Sequence, residues 1–302
     1  MKRKIIKLAE KTLVVSLPSS YIKDFHLEKG AELDVSFQDS SIIFSPELLV
    51  QPKKTYELDA KGLSERSLRW IISSLHKQGY DQIIVLHYTD EQHALLEELS
   101  TSLFIGFIIK EKTSLRIVLG EVASISPDEF DRTFRRSFHH AKDQFSLFLE
   151  AVEQKDVSLF SQLIAGEKEN NKLTNFCERL LNKDLFRKEK GHFWYVLIWN
   201  LEKLVDSLKY IALQEQFPED EQTTLLVEQV VSFVHTYLDL IFSFSLEKLS
   251  ELSLEKKTLE KEILSSFHID SVYKHFLHMI LLQCADFSAS TLAIQEVVGN
   301  SI

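Results

Sequence analysis

A chain of 302 residues with 44% hydrophobic and 26% charged side chains is long enough for two or three folded domains and too apolar for disorder. Two distant cysteines, Cys177 and Cys284, exclude a disulfide framework and a zinc module, no apolar run reaches the roughly 18 residues of a membrane helix, and Ile5-Ile6 is too short for a signal-peptide core, so a cytoplasmic chain without membrane insertion is expected. The formal charge of −10 is uneven, +1 over residues 1–46, −2 over 47–126 and −9 over 127–302, so nucleic-acid contact would fall to the first residues alone.

The N-terminal stretch carries Lys2, Arg3, Lys4, Lys7 and Lys11, opposed only by Glu10. Residues 12–17 are rich in β-branched side chains and predict a strand that Pro18, which lacks an N–H, must end. Ser19-Ser20 can cap a short helix over 21–25. After a turn at Gly30, Leu33, Val35 and Phe37 alternate with polar residues as a strand, 38–41 forms a hairpin connection and 42–44 the return strand. So short a piece lacks core of its own and is expected to borrow one from a partner.

A second unit follows, over 47–125. It predicts a strand at 55–58, then a helix from Ser64 with Leu68, Ile71, Ile72 and Leu75 at helical spacing, stopped by Gly79. Ile83 to Leu86 reads as a strand buried on both faces, 90–99 as a helix, and 104–109 with 115–119 as a closing hairpin. The outcome is a small α/β sandwich acting as a connector or as a sensor of unknown ligand. Gly62, Gly79, Gly106 and Gly120 stand alone and make no phosphate loop.

From Ser126-Pro127-Asp128-Glu129, a helix start with cap, proline and acids in place, the texture changes. Only Pro218 and three glycines interrupt the remainder, which holds sixteen of the 21 phenylalanines and predicts an antiparallel bundle over 126–302. Helices are expected near 127–154, 156–184, 190–216, 220–248, 252–265 and 269–297. Trp194, Trp199, Cys177 and Cys284 are expected in its core.

Within the bundle Glu202 and Asp206 stand four apart, on one helix face, where like charges repel unless a cation lies between them. That cation is either a metal ion, which oxygen-rich faces of bundles can hold, or the neighbouring Lys203 and Lys209. Catalysis has little to rest on: His139, His140 and His192 lack a histidine one turn on, and no nucleophile elbow, P-loop or zinc-hydrolase helix occurs, so no catalytic residue is assigned.

Two family resemblances organise these readings. LVVSLPSSYIKDFHLEKGAELDV resembles the SpoVT/AbrB-like swapped-hairpin domain, with Leu27, Gly30, Leu33 and Val35 at matching places and Ala31 where that family usually has Asp. LEKLVDSLKYIA resembles the signature of PhoU, a helical-bundle regulator of phosphate uptake whose Glu-x-x-x-Asp carboxylates hold metal clusters. The matching positions here are Glu202 and Asp206, with Glu167 and Asn171 on the preceding helix and Asp286 near the C-terminus. Asn171, Ser290 and Leu282 replace family acids. The combined order resembles archaeal PhoU-like regulators.

The fold the resemblance implies is a multidomain α+β protein: a dimeric swapped-hairpin β-barrel over 1–46 for dimerisation and DNA binding, the α/β connector over 47–125, and a PhoU-like antiparallel bundle over 126–302. The function it implies is a non-enzymatic, DNA-binding regulator of phosphate homeostasis. Its DNA contacts would be Lys2, Arg3, Lys4, Lys7 and Lys11. Its bundle would sense a divalent or ferric metal or a partner such as a phosphate transporter or sensor kinase. The alternative is a homodimeric adaptor that binds no DNA and docks transport or signalling proteins through the bundle.

Overall fold

The computed structural model describes residues 2–8, 12–38, 41–46, 53–122, 128–183 and 190–295, the side chains of residues 36, 38, 41, 43, 45 and 46 excepted. The chain divides into two compact units, Met1–Lys53 and Lys54–Ile302.

In the first unit, β1 (Ile6–Lys7) pairs antiparallel with β2 (Leu13–Val14), Ile6 opposite Val14. Pro18 stands at the N-cap of α1 (Ser19–Asp24), where its fixed φ suits a helix start. Tyr21 packs edge-on against Phe25 and its hydroxyl donates to the Phe44 carbonyl at 2.6 Å, tying α1 to the second hairpin. That hairpin joins β3 (Leu33–Gln38) to β4 (Ser41–Pro46), with Val35 opposite Phe44.

The expected swapped-hairpin barrel is not there. The two hairpins form two separate two-stranded sheets, open on both edges. The first is only two residue pairs long, too short to close a barrel. The apolar side chains a barrel would enclose, among them Ile6, Leu13, Val35, Phe37 and Ile42, are exposed, and no described hydrophobic residue of this unit is buried.

The second unit contains a four-stranded sheet in the order β5-β6-β8-β7, from β5 (Thr55–Asp59), β6 (Gln82–Leu86), β7 (Phe107–Lys112) and β8 (Arg116–Glu121). β5 and β6 are parallel and linked by the helical crossover α2 (Glu65–Lys77); the other pairs are antiparallel. Ser64 caps α2 by accepting from the Ser67 amide at 3.1 Å. Gly79, at φ +78°, closes it with the Lys183 side chain packed where a Cβ would stand. Thr89 and Gln92 form a capping box on α3 (Asp90–Glu98), which continues into a π turn over Leu99–Leu103. β6 differs from expectation: Ile83 and Val85 are buried under the helices, whereas Ile84 and Leu86 are only partly covered, so one face alone is closed.

Among the described residues six helices follow: α4 (Asp128–Gln154), α5 (Val157–Asn182), α6 (Gly191–Ala212), α7 (Glu221–Leu240), α8 (Leu246–Ser265) and α9 (Ser271–Ile294). Phe130, Phe134, Phe138, Phe145 and Phe148 share one face of α4 and fill the core, where Phe134 meets Trp194 at 5.0 Å. The helix expected over 220–248 ends at Leu240, and the one expected over 252–265 already starts at Leu246. Ser245 accepts from the Lys248 amide at 3.1 Å and caps a new start, a use of serine the backbone favours over an interior position. α6 lies between α5 and α9, with α4 beneath it. Among the described helices α9 alone has the length and hydropathy to cross a membrane; here Leu277, Ile280, Leu281, Cys284 and Phe287 sit in the bundle core.

α4 and α5 approach closely at Gly166. His140 Nε2 lies 2.8 Å from the Gly166 carbonyl, and the Gln144 amide covers the space a Cβ would need. Gly166→Ala should therefore cost about 1–3 kcal/mol of overpacking. Gln144→Ala in the same chain should recover most of it, read as urea midpoints; an unaltered midpoint in the single variant would show that this contact yields freely.

Candidate functional site

Sandwich and bundle meet at the C-terminal half of α5, where every residue from 173 to 180 is buried. A helix covered all round cannot keep its charges in water, so Glu178 and Arg179 must find partners inside. Arg179 is fully buried and reaches the end of α2, donating from Nη1 to the His76 carbonyl and from Nη2 to the Tyr80 carbonyl, both at 2.7 Å. These carbonyls lie at the negative end of the α2 dipole, where a cation is stabilised. Nη2 also meets Glu121 of β8 at 2.6 Å, and the guanidinium lies 5.0 Å over Phe107.

Lys183 extends the tie, contacting Glu121 at 2.6 Å and Asp81 at 2.5 Å. Burial works against the Asp81 carboxylate, but Lys183 and the Lys54 amide outweigh it and hold its pKa below the ordinary value. His76 stacks on Phe104 with ring centroids 4.2 Å apart. Its complete burial, with Arg179, Lys77 and Lys183 nearby, pushes its pKa well below the usual imidazole range.

From Glu178 a chain of ion pairs of alternating sign runs along α6. Lys77, from the end of α2, lies 2.7 Å from Glu178 and 3.6 Å from Glu202. Lys203 lies 3.7 Å from Glu202 and 2.9 Å from Asp206. Lys209 stands 3.0 Å from Asp206 and 2.5 Å from Glu167, which also accepts from the Asn171 amide at 2.7 Å. Four carboxylates thus alternate with three ammonium groups across α2, α5 and α6. Burial raises the Glu178 pKa, Glu202 adds to the rise, and Lys77 opposes both. Burial and the Glu178 charge push the Tyr195 phenol up as well. Asp206 goes the other way, because its two lysine contacts outweigh its burial.

The structure brings Glu167, Asn171 and Asp206 together around Lys209, with Glu202 one turn along α6. Asp286 is an exposed residue of α9 outside this chain of contacts. The cations between the carboxylates are lysine ammonium groups, and a metal ion held by Glu202 and Asp206 would have to displace Lys203 and Lys209. Among the described residues no group of three or more His, Cys, Asp or Glu side chains converges as a metal ion would need. Lys2, Arg3, Lys4 and Lys7 are exposed in the first unit; Lys11 lies outside the described residues.

Sequence reasoning missed Lys77, Arg179, Lys183, Asp81 and Glu121. One signal was available: Glu178-Arg179 stands between the apolar pairs Phe176-Cys177 and Leu180-Leu181, and adjacent charges at buried positions demand partners from elsewhere in the chain.

What fold and site define is a mixed α+β protein: a unit of small open sheets, and a sandwich fastened to a helical bundle by buried ion pairs. No protein-family model, curated protein or solved structure matches the chain. The resemblance to archaeal PhoU-like regulators with an AbrB-like head thus has neither a matching family nor the expected barrel behind it. The barrel that would present the basic residues is absent, and the local motifs do not extend to a likeness of the whole.

Proposed function

We propose that the protein is a homodimeric adaptor, its first unit held to a second copy of itself and its acidic bundle docking a partner with a basic surface. The exposed apolar strands of the first unit carry this reading. Ile5, Ile6, Leu8, Leu13, Val35, Phe37 and Ile42 are exposed while no described hydrophobic residue there is buried. Each such side chain gains about 1.5–3 kcal/mol when fully buried, a gain that a second copy of the unit can supply. Strand edges left open at β1–β2 and β3–β4 offer main-chain pairing as well. The bundle's net charge of −9 over residues 127–302 favours a basic partner. In the ion-pair chain the charged groups face one another, an arrangement suited to holding sandwich and bundle in register.

Sedimentation of the full chain tests the reading. The protein should be dimeric at micromolar concentration, and Phe37→Ser/Ile42→Ser should shift it to monomer without moving the unfolding transition of the bundle. A wild-type monomer at tens of micromolar would end the proposal. So would salt-sensitive DNA binding lost in Lys4→Ala/Lys7→Ala, because the head would then serve nucleic acid.

A further inference from the structure

Trp199 of α6, expected in the bundle core, is instead exposed, but the charges near it, Glu202, Lys203 and Asp206, are of both signs. The first hairpin is different, because its exposed apolar side chains stand among charges of one sign. Ile5, Ile6, Leu8, Leu13 and Val15 are 45–73% exposed, and Lys2, Arg3, Lys4 and Lys7 are exposed between and beside them. No acidic residue precedes Glu10 in the sequence, and none follows it before Asp24. Lys7 stands directly opposite Leu13 on one face of the hairpin, and Ile6 opposite Val14 on the other. Cation and aliphatic chain therefore share a face within reach of one another.

Charge decides what can cover such a surface. A second copy of the same hairpin would set cations against cations. A nucleic-acid backbone takes up cations, but it buries no aliphatic chain, and no aromatic ring occurs before Tyr21 on which a base could stack. The face of a bilayer that contains anionic lipid meets both demands at once. Its headgroups carry the negative charge that lysine and arginine complement, and the acyl boundary a few ångströms beneath receives isoleucine and leucine. The long stems of lysine and arginine span the two levels, apolar below and charged above. The rest of the chain, at −2 over residues 47–126 and −9 over 127–302, is repelled by such a surface. That repulsion confines the contact to the hairpin and keeps it weak and sensitive to salt.

We propose that the first hairpin is a docking surface for an anionic bilayer, its cations at the headgroups and its exposed isoleucines and leucines in the apolar boundary beneath. The hairpin lies on the membrane surface and does not span it. Two weak signals, basic charge and a few apolar side chains, act together where neither would hold alone. The inference does not rest on the dimer. The second hairpin carries Phe37 and Ile42, and its strands hold one charge, Asp34, so a second copy can meet it without opposing cations. Where the chain is dimeric, two such hairpins add to the avidity for the surface.

Flotation of the full chain with lipid vesicles tests this. The protein should float with vesicles of phosphatidylcholine and phosphatidylserine, stay behind with phosphatidylcholine alone, and be released by salt. Lys4→Ala/Lys7→Ala should lower the partition onto the anionic vesicles about tenfold or more. Ile5→Ser/Leu8→Ser, which keeps every charge, should lower it about as much. These side chains are exposed, so neither variant removes a core contact. Absence of flotation at low salt, or equal flotation on both kinds of vesicle, would overturn the proposal. So would an unaltered partition in Ile5→Ser/Leu8→Ser, since the cations would then serve phosphate without the bilayer. Displacement from the vesicles by a DNA duplex of random sequence at equal phosphate would overturn it too, in favour of nucleic acid. Phe37→Ser/Ile42→Ser should retain the preference for anionic vesicles; its loss would move the contact to the second hairpin and end the proposal. Failure of the dimer reading is seen separately, in sedimentation without lipid.

Discussion

Arg179→Met is expected to lower the stability of the full chain by roughly 3–5 kcal/mol, the cost of breaking a buried ion pair by removing one partner. The guanidinium is fully buried and serves three acceptors, the His76 and Tyr80 carbonyls and Glu121. Its removal leaves two carbonyls at the end of α2 without their donor, and leaves Glu121 to Lys183 alone. Arg179→Lys should recover little, because one ammonium cannot span carbonyls that the planar fork reaches from different nitrogens. Glu121→Gln should cost less, since both carbonyl contacts survive it. These bonds join α5 to residues between 58 and 103 positions away in the sandwich, so their loss should also uncouple sandwich from bundle. In a Trp194→Phe/Trp199→Phe background, urea unfolding followed separately by Trp70 fluorescence in α2 and by far-UV dichroism of the helices should change from coincident transitions to displaced ones. A loss under about 1 kcal/mol with transitions still coincident would show that Arg179 does not hold the interface.

How much of this was legible in the sequence depends on the range of the interaction. The bundle was, because helical spacing of large apolar residues such as Phe130, Phe134 and Phe138 is a local property. The break before α8 was placed too late in the chain, since Ser243 and Ser245 interrupt the pattern without glycine or proline. Closure of the head was misjudged for a physical reason. The short helix and the hairpin over 33–44 were legible while the pairing of β1 with β2 was not, and whether hairpins close on each other depends on side chains meeting across sheets; here Phe37 and Ile42 meet solvent. Glu202 and Asp206 were visible as a carboxylate pair in want of a cation, with Lys203 and Lys209 already named as one source. The third lysine, Lys77, comes from the sandwich, and no spacing on α6 announces it. Nor does periodicity show that Trp199 faces outward, because that depends on which flanks of α6 its neighbours cover.

Lys77→Met should make the stability of the protein depend on pH in a direction opposite to ordinary acid unfolding. Glu178 has no exposed side-chain surface and Lys77 is its ion-pair partner at 2.7 Å. Its folded pKa is raised by burial, with Lys77 pulling down and Glu202 pushing up. A carboxyl with a raised folded pKa binds its proton more tightly in the folded state. Its favourable contribution is present at low pH and is lost as pH rises from the ordinary carboxylate value through the folded one. Without Lys77 that window moves upward, because Glu178 and Glu202 then face each other without the cation between them.

The variant should therefore lose on the order of 3 kcal/mol near pH 8, and the deficit should shrink as pH falls below the new pKa of Glu178, by about 1.4 kcal/mol per pH unit. The Lys77 pKa is raised in the folded state, so its own contribution is present below the ordinary lysine value and is lost only as pH rises through the folded one. His76 acts in the opposite sense: its depressed pKa, set first by burial, gives stability above the ordinary imidazole value that is lost on acidification, and removing Lys77 takes away only one of the three cations that add to the depression. The quantity to measure is thus the difference between the two proteins from pH 5 to 8, not either curve alone. Glu178→Gln added to Lys77→Met should flatten that difference and restore most of the stability at pH 8, since a neutral amide has no charge left to bury. A deficit independent of pH, or one that Glu178→Gln fails to relieve, would mean that Lys77 contributes through the packing of its aliphatic stem rather than by neutralising Glu178.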